Sequence, residues 1–194
     1  PGLIRPTNVP AGQEDLDGDG NVDTMHLTGG RLEIIASANR LWQSPLDWNV
    51  LQASIADFNR DNLPEVALLV WRPFKPWPID KYLVNPGRIQ AFHDYTGRSC
   101  HLILIGWTRQ GFREVWAGSA LAEPLLAFAP GDLDNDGFPE LVALEMAYTN
   151  HLTSLTPPAT PERSSALSAW EWNGFGFTLL DRVDGQFRQI FTLA

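Results

Sequence analysis

Three short acidic segments of this chain follow one template, and nothing else in the sequence restricts the fold as much. They are Asp15-Leu-Asp17-Gly-Asp19-Gly20-Asn21-Val-Asp23, Asp57-Phe-Asn59-Arg-Asp61-Asn62-Leu63-Pro-Glu65 and Asp132-Leu-Asp134-Asn-Asp136-Gly137-Phe138-Pro-Glu140, all of the form D-x-[DN]-x-D-[GN]-x-x-[DE]. Together they hold eleven of the 23 carboxylates; the other twelve face 14 Lys and Arg, so the net charge of −9 belongs to three loops. Carboxylates packed this closely repel one another unless a cation lies between them. Oxygen ligands alternating along a tight loop suit a hard cation taking roughly six to eight oxygens, which is calcium. The pattern therefore predicts up to three Ca2+ sites.

The role of each position follows from the same chemistry. Side-chain oxygens come from Asp15, Asp17 and Asp19 in the first loop, Asp57, Asn59 and Asp61 in the second, and Asp132, Asp134 and Asp136 in the third. The sixth position needs a positive φ, which Gly20 and Gly137 supply and Asn62 tolerates. The seventh (Asn21, Leu63, Phe138) offers its backbone carbonyl, and the ninth (Asp23, Glu65, Glu140) closes the loop. Asn59 and Asn62 lower the charge of the second loop, making it the weakest of the set.

An EF-hand needs Glu at the twelfth position and flanking helices. Here the twelfth residues are His26, Leu68 and Ala143, and the runs Val66-Ala-Leu-Leu-Val70 and Leu141-Val-Ala-Leu144 read as buried strands. Pro64 and Pro139 stand just before those runs, where a missing N–H does no harm. The fold class is therefore all-β, with each calcium loop opening a unit of about four antiparallel strands.

Similarity extends beyond the loops. Trp42 precedes Asp57 by 15 residues and Trp116 precedes Asp132 by 16, while Trp107–Phe112 and Trp172–Phe177 share a spacing of five. These tryptophans are expected to pack within the repeat rather than to bind sugar. The units run 15–56, 57–131 and 132–194 after an N-terminal arm, 1–14, within one domain overall. Pro-rich insertions at 71–87 and 149–165 occupy the same point of the second and third units, and such insertions map to loops on one face.

The loops and the strand after each resemble the FG-GAP or VCBS repeat family, whose units are four-stranded β-propeller blades such as those of integrin α-subunits. The resemblance implies propeller-type blades, calcium in a structural role, and recognition on one face of the disc. The Phe-Gly…Gly-Ala-Pro string of that family is missing, and the repeat lengths are uneven. Closed propellers use about four to eight blades. The spacing puts a fourth loop just past Ala194, so the three units read as part of a ring completed by more chain or by another copy. Residues 1–13 read as an arm that lends a strand to a neighbour, and Pro1, with no initiator Met, reads as a processed or trimmed terminus.

Other chemistries find little support. The acidic balance disfavours nucleic acid, and no apolar run is long enough to span a membrane as a helix. One Cys makes no internal disulfide, and the four His lack zinc spacing. No G-x-S-x-G, P-loop or G-x-G-x-x-G is present, so a catalytic role is not expected. Trp71, Phe74 and Trp77 lie outside the repeat and are candidate contacts for a ligand or partner, a surface glycan or a protein. The sequence thus predicts a non-catalytic, extracellular or cell-surface, calcium-stabilised protein that self-associates as a structural or adhesive subunit, dimer or filament. The alternatives are a glycan- or protein-binding module cut from a larger propeller, and a hydrolase accessory domain.

Overall fold

The computed structural model describes residues 10–36, 39–76, 82, 92–148, 165–187 and 190. They form twelve strands in three antiparallel four-stranded sheets. Sheet 1 holds β1 (Pro10–Glu14), β2 (Asp23–Thr28), β3 (Arg31–Ala36) and β4 (Asn39–Gln43). Sheet 2 holds β5 (Asn49–Ala56), β6 (Glu65–Pro73), β7 (Arg98–Thr108) and β8 (Gly111–Ala117). Sheet 3 holds β9 (Leu125–Gly131), β10 (Glu140–Glu145), β11 (Ala166–Trp172) and β12 (Phe177–Asp184). In each sheet the strands pair in chain order.

The acidic loops do not open the sheets. Each links the first strand of a sheet to the second: β1 to β2, β5 to β6 and β9 to β10. Sheet and sequence repeat are therefore offset by one strand, because a loop this tight returns the chain antiparallel onto the strand it has just left. The same rule claims part of the expected arm. Pro10–Glu14 pairs with β2 of its own sheet, Glu14 opposite Asp23, and residues 1–9 lie outside the described residues.

Sheet 2 is the middle layer, and side-chain alternation divides its residues between two cores. Val66, Leu68, Val70, Ile103 and Ile105 join Leu16, Met25, Leu32 and Ile34 in the cluster shared with sheet 1. Ala67, Leu69, Cys100, Leu102 and Leu104 join Phe128, Leu141 and Ala143 in the cluster shared with sheet 3. Burial on both faces explains why β6 and the middle of β7 are unbroken apolar runs. The first strands of successive sheets are neighbours, β5 packing on both β1 and β9. No closed ring is formed by the described residues.

The spaced aromatics pack as the repeat predicts. Trp107 pairs with Phe112 across the β7–β8 hairpin and Trp172 with Phe177 across β11–β12, with ring centroids 4.9 and 5.4 Å apart. Trp116 meets both Trp172 and Phe177 edge-on, at 5.8 and 5.3 Å, fastening β8 to sheet 3. The expected 71–87 insertion begins inside β6, which runs to Pro73. Its remainder, like the 149–165 stretch, falls between the second and third strands of its sheet, where sheet 1 has only the turn Gly29–Gly30.

Candidate metal centres

The three loops share one internal hydrogen-bond scaffold. The carboxylate of the first residue accepts the N–H groups of the fifth and sixth: Asp15 from Asp19 and Gly20, Asp57 from Asp61 and Asn62, Asp132 from Asp136 and Gly137, at 2.9–3.1 Å. The third residue accepts the same fifth N–H through Asp17, Asn59 or Asp134 Oδ1, at 3.1, 2.9 and 3.0 Å. The fifth accepts the seventh N–H, from Asn21, Leu63 or Phe138, at 2.8, 2.9 and 2.8 Å. The ninth turns back to the second: Asp23 takes the Leu16 N–H at 3.0 Å, Glu65 that of Phe58 at 3.1 Å and Glu140 that of Leu133 at 2.7 Å.

Two residues per loop sit in the left-handed region. The sixth is the expected one, with φ of 85° at Gly20, 69° at Asn62 and 90° at Gly137. The fourth also adopts it, at 73° for Gly18, 65° for Arg60 and 63° for Asn135. Sequence reasoning missed this second position. Its only signal is that two of the three residues, Gly and Asn, tolerate the left-handed form.

The scaffold gathers carboxylate oxygens within 4.8 Å of one another in each loop: Asp15, Asp17 and Asp19; Asp57, Asp61 and Glu65; Asp132, Asp134 and Asp136. Asp23 and Glu140 stand outside their triads, buried at 1% exposure each. Asn59 directs its amide nitrogen toward Asp61, at 3.1 Å, and toward Glu65. Burial pushes the Glu65 carboxyl up to about 7, assisted by Asp61 and Asp57 and opposed by the N–H groups of Asn59 and Phe58. Asp23 is raised as well, first by burial and then by Asp17, Asp19 and Asp15, against the pull of the Leu16 N–H.

These groups fit a hard cation. The donors are all oxygen, the side chains are pre-positioned by main-chain bonds, and Glu140 Oε1 is buried without a hydrogen bond. The ions would be held by the three triads, with Asp23 and Glu140 as the ninth-position carboxylates.

Successive loops also touch. Leu63 of the second lies over Gly18 of the first, so close that a β-carbon on Gly18 would meet its Cδ2 at 3.2 Å. One step along, Arg60 lies over the Phe138 ring, 5.1 Å from its centroid, so the fourth residue of one loop again leans on the seventh of the next.

The three candidate contact aromatics fare differently. Trp71 belongs to β6 and packs edge-on against Tyr148 at 5.7 Å, half-buried. Phe74 follows that strand and packs against His93 at 5.2 Å. Trp77 lies outside the described residues, as does most of the 71–87 insertion and nearly all of the 149–165 one.

Compared with models of known families and with characterised proteins, the chain matches none. Among the described residues no helix is long and apolar enough to cross a membrane.

Proposed function

We propose that this chain is a non-catalytic, extracellular β-repeat protein of the FG-GAP/VCBS kind, whose three loops bind calcium and hold successive propeller-type sheets together. The supporting observation is one hydrogen-bond scaffold built three times from different residues, each time gathering three carboxylates within 4.8 Å of one another. Calcium near millimolar outside cells would fill sites of the moderate affinity expected for exposed loops. In the same reading the protein associates with copies of itself. Edge strand β12 exposes Leu179, Leu180 and Val183, and such an edge invites pairing or packing with another chain.

Light scattering in calcium, and again after chelation, tests this function. A dimer or larger species that comes apart with chelator supports it. A monomer in calcium sinks the assembly reading, and an oligomer whose mass chelator leaves unmoved sinks the role of calcium in it.

One cleft favours a second reading, a binding module. Trp71 lines a space of about 270 Å3 with Asn49, Asp94, Arg98 and the apolar Leu51, Leu125 and Met146, at the strand ends opposite to the acidic loops. An indole wall beside polar side chains suits a sugar ring. Loss of glycan binding in Trp71→Ala, with assembly intact, would move this reading ahead.

A further inference from the structure

Loops 1 and 3 carry the same donor set, with Asp at the first, third and fifth positions and a carboxylate at the ninth. Loop 3 also meets a charged residue of the loop before it: where loop 2 faces Gly18, loop 3 faces Arg60. Arg60 Nη1 lies 3.2 Å from Asp136 Oδ2, and Nη2 lies 3.7 Å from Glu140 Oε1. The other oxygen of each carboxylate is already engaged by the main chain: Asp136 Oδ1 by the Phe138 N–H and Glu140 Oε2 by the Leu133 N–H. The guanidinium thus stands at the remaining oxygen of each of these two carboxylates. In loop 2, by contrast, the ninth-position carboxylate of Glu65 joins the triad.

Arg60 is anchored where it stands. Nη2 donates to Glu171 Oε1 at 3.1 Å, and the guanidinium carbon lies 5.1 Å from the centroid of Phe138. An arginine keeps its charge at any physiological pH. We propose that Arg60 is a built-in cation that competes with the metal ion at loop 3, so that loop 3 binds calcium more weakly than loop 1 despite its equal carboxylate count. Loop 2 thereby controls loop 3: the residue that completes one loop's backbone also guards the next loop's ligands. The inference rests on the calcium reading above.

The test is calcium titration calorimetry on the full chain, wild type against Arg60→Asn. Asparagine is chosen because Asn135 holds the equivalent left-handed position in loop 3. Removing a unit charge a few ångströms from a divalent ion near the surface is expected to tighten one site about tenfold. The other sites should be unaffected, and the gain should vanish when Asp134→Asn is added. Arg60→Lys, which keeps the charge and loses the planar fork, should stay within about twofold of wild type. Arg60→Gly, the residue of loop 1, repeats the test without a side chain. Unchanged or weaker calcium binding in both Arg60→Asn and Arg60→Gly overturns the proposal. A wild-type chain that takes up no calcium overturns the underlying calcium reading instead, so the two failures are distinguishable.

Discussion

The side chain of Gln52 hydrogen-bonds the main chain of Phe128 twice: Nε2 donates to the carbonyl at 2.5 Å, and Oε1 accepts the N–H at 3.0 Å. Gln52 lies on β5 and Phe128 on β9, so one amide replaces a strand partner at the junction of sheets 2 and 3. Phe128 is itself buried, and water is a poor substitute there. Gln52→Ala is expected to cost about 2 kcal/mol, because it strands both main-chain groups. Urea unfolding measures this; a loss under about 0.5 kcal/mol would show that the pair is incidental.

Calcium removal should loosen the whole stack. A site filled at about 100 times its dissociation constant adds roughly 2.7 kcal/mol. For a domain of this size that corresponds to roughly 5–10 °C in melting temperature per site. A scan with calcium against one with chelator reads it directly, and identical curves would refute the structural role of the loops.

His101 makes stability fall on mild acidification. Burial first, with help from the Arg72 charge, lowers its pKa to about 4 from the ordinary 6.5, against the pull of the Gly118 and Ser119 main chain. Its neighbours suit the neutral ring: Nδ1 lies 3.0 Å from the Gly118 carbonyl and Nε2 lies 2.8 Å from the Ser99 hydroxyl. Between these two pKa values the unfolded chain binds the proton and the folded chain does not. The contribution is therefore whole above pH 6.5 and drains away as pH falls toward 4, by up to about 3 kcal/mol. Comparing wild type with His101→Asn at several pH values isolates it; equal slopes would remove His101 as the cause.

Cys100 should be inert in the folded protein. It sits inside β7 at 0% exposure, and burial pushes its thiol up to about 12. The nucleophilic thiolate is then scarce and shielded. A thiol reagent at pH 8 should label the native chain only as fast as it unfolds, and should label it promptly in denaturant. Immediate labelling of the native chain would contradict the packing of sheet 2 against sheet 3.

The acidic loops could be read from sequence because they are local. Every bond of their scaffold joins residues no more than seven apart, so nine residues carry the information for the fold of each loop. The apolar runs after Glu65 and Glu140 likewise announced β6 and β10. The fourth loop position was less legible, since Arg60 is an unlikely sequence signal for a left-handed backbone.

By itself, then, the sequence determined the all-β class, the three carboxylate loops and the hairpin aromatics, all of them set by neighbours along the chain. Tertiary structure alone decided how strands group into sheets, with each loop inside a sheet instead of at its start. It also decided which face of β6 meets which neighbour, and that Arg60 lies against the third loop. Gln52 and Phe128 are 76 residues apart and Arg60 and Glu171 are 111 apart. Contacts at that range leave no periodic trace, because they depend on the packing of whole sheets and not on the residues beside them in the chain.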